Sequence, residues 1–278
     1  MNIREKSAEL LDRVRNKSPL IHHITNYVTV NDCANIVLAI GASPVMADEI
    51  DEVQDMVSIA NTLVLNMGTP NKRTVESMLA AGRRANALGI PVVFDPVGVG
   101  ATEYRTKIAH KILDEVEISV LSGNISEIKA ISGLGGTTKG VDASSEDTTD
   151  LNYMEDSSNM AKTISKQLNC IIAITGAVDV ITDGDKVFYV HNGHEMLSTI
   201  TGTGCMCTSL IGSFCGVTDD YLNAATAGIM AMGIAGEKAY KSLVQGEVGS
   251  GSFKARLLDM VFILTGEDLT KEGKVYGI

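Results

Sequence analysis

Residues 62–95 read TLVLNMGTPNKRTVESMLAAGRRANALGIPVVFD. The stretch opens on a brief apolar run, Thr62–Asn66, and closes on a second one at 91–95. Runs this short and continuous suit parallel strands covered on both faces. Between them, 71–88 repeats Val75, Met78, Leu79, Gly82 and Ala85 at helical spacing, behind Thr69-Pro70, which reads as an N-cap with proline at the first helical position. Strand, helix and strand in that order imply a right-handed crossover and a parallel pair.

The same alternation extends outward. Residues 117–121 and 170–175 are further apolar runs, and 50–60 carries Ile50, Val53, Met56, Val57 and Ala60 on one helical face. Residues 187–191 follow the turn-forming Asp183-Gly184-Asp185 and read as part of an edge hairpin. The chain from about Gly204 onward is mostly helical in pattern, and residues 1–16 form an amphipathic helix carrying both charge signs, unlike a signal peptide. No repeat or separating linker is visible, so 1–278 is expected to be one α/β domain: a mainly parallel central sheet with helices on both faces. Residues 133–150, rich in Gly, Thr, Ser and Asp and containing Lys139-Gly140-Val141-Asp142, are expected to be a mobile surface segment, a lid or an insertion.

Composition narrows the function. The 278 residues are 45% hydrophobic and 21% charged, as in a compact globular protein. A net charge of −11 and no Lys/Arg cluster argue against nucleic acid as a partner, yet leave room for a phosphorylated small ligand bound by backbone N–H groups. Five cysteines (Cys33, Cys170, Cys205, Cys207, Cys215) without metal-like spacing point to a reducing, cytoplasmic setting, and no apolar stretch reaches the length of a membrane span.

Ligands of open α/β sheets bind beyond the carboxyl ends of the strands. Four expected strands end there in polar or glycine-rich turns: Asn66-Met67-Gly68-Thr69, Asp95-Pro96-Val97-Gly98, Ser122-Gly123-Asn124 and Thr175-Gly176. Thr201-Gly202-Thr203-Gly204-Cys205 then opens directly onto an apolar helix, where outward N–H groups and the positive dipole end favour an anion; a plain small-residue cap is the alternative. Cys205, in the first turn, is expected to have a lowered thiol pKa and is read as a nucleophile, a general base or a small buried hydrophobe. Asn124 and Glu127 lie one turn apart and, with Asp95, suit a hydrated Mg²⁺, or else form a helix-capping box. His22, His23, His191 and His194 fit no catalytic or metal pattern and are read as structural, and Met46 as a core gap-filler.

In order along the chain, Ser18-Pro-Leu-Ile-His-His-Ile-Thr-Asn26, Gly41-Ala-Ser-Pro-Val-Met46, Asn66-Met-Gly-Thr69, Asp95-Pro-Val-Gly-Val-Gly-Ala-Thr102, Gly123-Asn-Ile-Ser-Glu-Ile128, Lys139-Gly-Val-Asp142, Ile174-Thr-Gly176 and Thr201-Gly-Thr-Gly-Cys205 together resemble the hydroxyethylthiazole kinase family of the ribokinase-like fold. The resemblance covers nearly the whole chain. It implies ATP-dependent phosphorylation of the hydroxyl of 4-methyl-5-(2-hydroxyethyl)thiazole in thiamine salvage, with Mg²⁺, by a homotrimer whose pockets lie at subunit interfaces. Matched residue by residue, Asn26, Met46 (from a neighbouring subunit), Gly68 and Gly202 stand at substrate positions. Thr175, Ser122, Asn124, Thr203 and Gly204 stand at ATP positions, Asp95 and Glu127 at the metal, and Cys205 in the place of the catalytic base. The family generally carries Lys or Arg where this chain has Ser122, so another basic group, such as Lys139, is expected to compensate. A kinase for another small alcohol, a Cys205 hydrolase using His194, and a non-catalytic ligand sensor are the competing readings.

Overall fold

The computed structural model describes residues 1–133, 151–243 and 249–277. The expected mobile segment, with Lys139, lies outside the described residues except for Gly133. In chain order the first half comprises α1 (Ile3–Lys17), β1 (Leu20–Ile24), α2 (Val30–Ile40), β2 (Ser43–Met46), α3 (Val53–Ile59), β3 (Thr62–Asn66), α4 (Lys72–Leu88), β4 (Val92–Asp95) and α5 (Glu103–Glu115). There follow β5 (Val120–Asn124), α6 (Ile125–Ile131), α7 (Leu151–Leu168), β6 (Ile171–Thr175), β7 (Asp179–Thr182) and β8 (Val187–Val190). A short 3-10 helix, Glu195–Thr199, leads into α8 (Thr203–Cys215), α9 (Tyr221–Ser242), α10 (Ser250–Ile263), α11 (Gly266–Glu272) and β9 (Val275–Gly277).

The nine strands of the described residues form one sheet in the order β2-β1-β3-β4-β5-β6-β7-β8-β9. The first six are parallel, and β7, β8 and β9 add antiparallel. Alternate residues of each buried strand feed opposite cores. Val64, Val93, Val120, Ala173 and Ile181 pack with residues of α1, α2, α8, α9 and α10. Leu63, Leu65, Phe94, Leu121, Ile172 and Ile174 pack with α4, α5, α6 and α7 on the other face. Burying both faces is why these strands read as unbroken apolar runs and not as alternations.

Several boundaries differ from the sequence-based expectation. Ser122, Gly123 and Asn124 are not a turn: β5 continues through them because β6 pairs with them as far as Asn124 opposite Thr175. Pro70 lies outside α4, whose N-cap is Asn71, its side chain accepting from Thr74 N. α3 begins at Val53, later than the apolar spacing suggests. β8 is not an edge strand, since the C-terminal β9 pairs beyond it. β1 and β2 were not anticipated. His22 and His23 interrupt the apolar signal of β1, and Pro44 is admitted to β2 because that strand lies at the sheet edge.

Two buried details position the rest. A Cβ on Gly228 of α9 would stand 2.8 Å from the backbone N and Cα of Ile211 in α8, so the two helices touch backbone to side-chain-free backbone. Asp179, at the start of β7, accepts from Gly176 N (3.0 Å) and closes the β6–β7 turn. Burial pushes its pKa from 3.8 up to about 7, partly opposed by that hydrogen bond.

Gly228→Ala is expected to cost about 1–3 kcal/mol, because backbone cannot yield as a flexible side chain would. An unchanged urea midpoint would show that α8 and α9 can separate without penalty. For Asp179 the folded chain holds its proton to higher pH than the unfolded chain. Its destabilising effect is therefore absent below about pH 4 and complete above about pH 7. Asp179→Asn should melt several degrees above wild type near pH 8 and match it near pH 4; a pH-independent difference would exclude the buried charge as the cause.

Candidate functional site

The carboxyl ends of β1, β3, β4, β5 and β6 meet along one rim, and polar residues stand at the same level of the sheet. Asn66 pairs with Asp95 in register and Asn124 with Thr175. Each is the last residue of its strand, where the apolar layer ends and loops take over.

Facing this rim is the start of α8. Gly202 is its N-cap at φ +89°, and a Cβ there would lie 2.5 Å from Thr29 Cγ2, so conformation and space both require glycine. Met206 N donates to Gly202 O, the first bond of the helix (2.8 Å). The N–H groups of Thr203, Gly204 and Cys205 have no partner among the described residues, and nothing lies within 4 Å of where a Gly204 Cβ would be. These donors stand at the positive end of the helix dipole.

Cys205 sits in this turn between two amides. Asn66 Nδ2 donates to its sulfur at 3.2 Å and Asn26 Nδ2 at 3.5 Å. The expected lowering of the thiol pKa is not found. Burial pushes it up to about 12, reinforced by the negative charge of Asp95 and by Cys33, and outweighs the hydrogen bonds from Thr29 and Asn66. A helix N-terminus lowers a thiol pKa only where the thiolate is also solvated or paired with a cation. Among its recorded polar partners there is no imidazole. His194 stacks on Tyr240 and caps the 3-10 helix, His23 bonds Ser209, and His22 bonds Ala47 O. The hydrolase reading therefore lacks its base among the described residues. The other four cysteines are buried and free.

Asp95 is 4% exposed. Its Oδ2 accepts from Asn66 Nδ2 (2.7 Å) and Thr208 Oγ1 (3.1 Å). Burial and then the charge of Glu127 raise its pKa well above the usual carboxylate range. Glu127 is raised to about 6 by burial, against the N–H groups of Gly98 and Asn124 and the nearby Arg105 guanidinium. Asn124 and Glu127 do form the capping box, with Glu127 N donating to Asn124 Oδ1 and Asn124 N to Glu127 Oε2, both at 2.9 Å. Glu127 Oε1 meanwhile accepts from Gly98 N at 2.8 Å, so both oxygens are held by backbone.

The sequence-predicted residues divide into two groups. Asn26, Gly202 and Cys205 converge directly, Asn66 links them to Asp95, and a Cβ on Gly68 would meet the Asn26 side chain at 2.9 Å. Asn124 and Thr175 stand side by side further along the rim. Ser122 is buried, its hydroxyl 3.5 Å from Thr208 Oγ1 beside Asp95, and does not present a side chain to the rim. Met46 ends the exposed edge strand β2, half-buried. Residues the sequence reading passed over include Thr208 and Arg105. Arg105 donates to Met67 O, Val97 O and Gly68 O at 2.8–2.9 Å and ties two rim loops together.

Residues 11–267 match the sequence model of the Hydroxyethylthiazole kinase family. A hydroxyethylthiazole kinase of Clostridium beijerinckii is 55% identical over 97% of this chain and 96% of its own. The structure of a hydroxyethylthiazole kinase protein from Pyrococcus horikoshii superposes with a TM-score of 0.87 at 38% identity, covering 98% and 99% of the two chains. Pyridoxal kinase from Staphylococcus aureus, at a TM-score of 0.55 and 13% identity over 82% of this chain and 89% of its own, shares the ribokinase-like fold alone. With that fold, that coverage and this rim, the chain belongs to the hydroxyethylthiazole kinase family.

Proposed function

We propose that the chain transfers the γ-phosphoryl group of ATP to the primary alcohol of 4-methyl-5-(2-hydroxyethyl)thiazole, a step of thiamine biosynthesis or salvage. The observation that carries this reading is the free N-terminal turn of α8, opening beside Cys205, Asn26 and Asp95. The thiazole lies against Asn26, Gly68 and Gly202. The nucleotide lies along Asn124 and Thr175, its γ-phosphate at the N–H groups of Thr203 to Cys205. Ser122 supports Thr208 and Asp95 from beneath and leaves nucleotide contact to these neighbours.

The carboxylates fit a hydrated divalent cation. Among the described residues Asp95 Oδ1 accepts no hydrogen bond, and burial together with the charge of Glu127 raises the Asp95 pKa, a cost that a cation would offset. Among the described residues no group of three or more His, Cys, Asp or Glu is placed to hold a metal, and a hydrated Mg²⁺ is the cation that would need few protein ligands. Mg²⁺ bound there would supply positive charge to the phosphates, with Asp95 and Glu127, the latter fixed by its capping box, as the residues that would hold it.

In the transfer, the acceptor oxygen forms a bond to the γ-phosphorus. The bond from that phosphorus to the β,γ-bridging oxygen breaks, and its electron pair leaves with ADP. The hydroxyl proton stays on until late and passes to an oxygen of the transferred group, whose second pKa is about 6. No strong base is needed, and at neutral pH Cys205 stays a thiol, able to donate a hydrogen bond to the acceptor oxygen without giving up its proton. Rate enhancement comes from alignment and from the α8 N–H groups.

Thiazole-dependent release of ADP from Mg²⁺-ATP is expected. Cys205→Ala should lower kcat by about tenfold, the scale of one hydrogen bond, and leave measurable turnover. No thiazole-dependent ADP from the folded wild-type chain at saturating ATP would overturn the kinase reading.

The assembly proposed is a cytoplasmic homotrimer, Met46 completing a neighbour's thiazole pocket. Supporting it, β2 is an edge strand, and Tyr27, Val28, Leu38, Phe262 and Ile263 are all more than half exposed. Exposed apolar side chains of this kind suit a protein interface. Sedimentation equilibrium should give three times 29.5 kDa; a monomer at micromolar concentration would remove the shared pocket.

A further inference from the structure

We propose that Asn66 is a positioning residue of the transfer reaction: its side-chain amide fixes the Cys205 thiol against the Asp95 carboxylate and turns the S–H toward the acceptor oxygen. The inference rests on the kinase reading and assigns a role that neither the fold nor the nucleotide requires.

Asn66 is 2% exposed and uses every hydrogen-bonding position it has. Oδ1 accepts from Gly68 N (3.0 Å) and Asn26 Nδ2 (2.9 Å), while Nδ2 donates to Asp95 Oδ2 (2.7 Å) and Cys205 Sγ (3.2 Å). The backbone N–H of Gly68 is a donor only, so it settles which end of the amide is oxygen. The two Nδ2 hydrogens are thereby committed to the carboxylate and the sulfur. Asn26 is locked in the same manner: Val28 N and Thr29 N donate to its Oδ1, leaving its Nδ2 for Asn66 and Cys205.

The consequence for Cys205 is directional. Its sulfur receives two amide N–H groups from the rim side, and its pKa keeps the proton on. The two amide N–H groups occupy one side of the sulfur with the Thr29 hydroxyl as a third neighbour, and on this proposal the S–H turns to the remaining side, in front of the α8 turn. That is where an acceptor oxygen lies when the γ-phosphate occupies the helix N-terminus. Asp95 is gripped by Asn66 and Thr208 through Oδ2, which leaves Oδ1 without a hydrogen bond among the described residues. One amide thus sets the spacing between the group that locates the nucleophile and the group that locates the phosphate. Misplacement of this kind is felt in turnover more than in binding.

A cycle of Asn66→Ala, Cys205→Ala and the double variant tests this, with Asn66→Asp as a second probe. The Asp side chain keeps an oxygen for Gly68 N and Asn26 but loses both donors. With wild-type stability confirmed by thermal melting, Asn66→Ala and Asn66→Asp are each expected to lower kcat at least tenfold. KM for ATP and for the thiazole should change less than threefold. In the Cys205→Ala background the further loss from Asn66→Ala should shrink severalfold, because part of what Asn66 positions is gone. Losses that multiply fully in the double variant, a loss confined to KM, or failure of both Asn66 variants to fold would each make Asn66 structural and overturn the proposal. Absence of turnover in wild type would instead remove the kinase reading, and this inference with it.

Discussion

The close seating of α8 on the sheet is the constraint from which the site follows. A Cβ on Gly212 would come within 2.6 Å of Val64 Cγ2, and the contact at Gly228 brings α9 against α8 from the opposite side. Held between β3 and α9, the helix cannot shift along its axis without driving backbone into a neighbour. Its first turn is therefore fixed relative to the carboxyl ends of β3 and β4. Glycine at 202 then lets the chain enter the helix at positive φ, pressed against Thr29, with the first three N–H groups lacking a partner among the described residues.

A rim built this way needs a polar interior that tolerates little water. Asn26, Asn66, Asp95, Ser122, Thr208 and Glu127 are all buried. Stranded singly, each would be costly; joined, they satisfy one another, and orientations propagate from backbone donors at Gly68, Val28, Thr29 and Gly98 outward to the reactive groups. The carboxylates remain the unstable part. Desolvation raises both, and the charge of Glu127 raises Asp95 further, which is the condition a cation would relieve. The same desolvation keeps Cys205 protonated, so the network favours donors near the nucleophile over bases.

The parallel core was legible because burial on both faces writes unbroken apolar runs, as in Thr62–Asn66 and Ile171–Thr175. β1 escaped because His22 and His23 look like surface residues until their partners, Ala47 O and Ser209, are in place. The Ser122–Asn124 turn was misread because glycine and asparagine are usual turn residues, whereas pairing with β6 keeps them extended. At the site, the glycine turn and the Asn124/Glu127 spacing could be read locally, since capping depends on residues three apart. The thiol's high pKa and the inward direction of Ser122 could not, because both depend on elements far away in sequence. Asn66 had one legible sign, a polar residue closing an apolar strand.

The overall charge of −11 makes the binding of a polyanion a problem that the geometry answers locally. The nearby cations among the described residues are already engaged: Arg105 holds three carbonyls, and Lys254 is paired with Asp32 beside Gly202. On the proposed function, attraction for the phosphates falls to backbone donors and to a cation shared between Asp95 and the nucleotide. Backbone N–H groups act only at close range, while the surrounding field is unfavourable. Nucleotide without its metal thus meets both the net charge and two buried acids, and the metal complex meets neither in full. On that proposal, selection for the metal-bound nucleotide would arise from repulsion of the bare one as much as from recognition, and Ser122, neutral and turned inward, would do nothing to soften it.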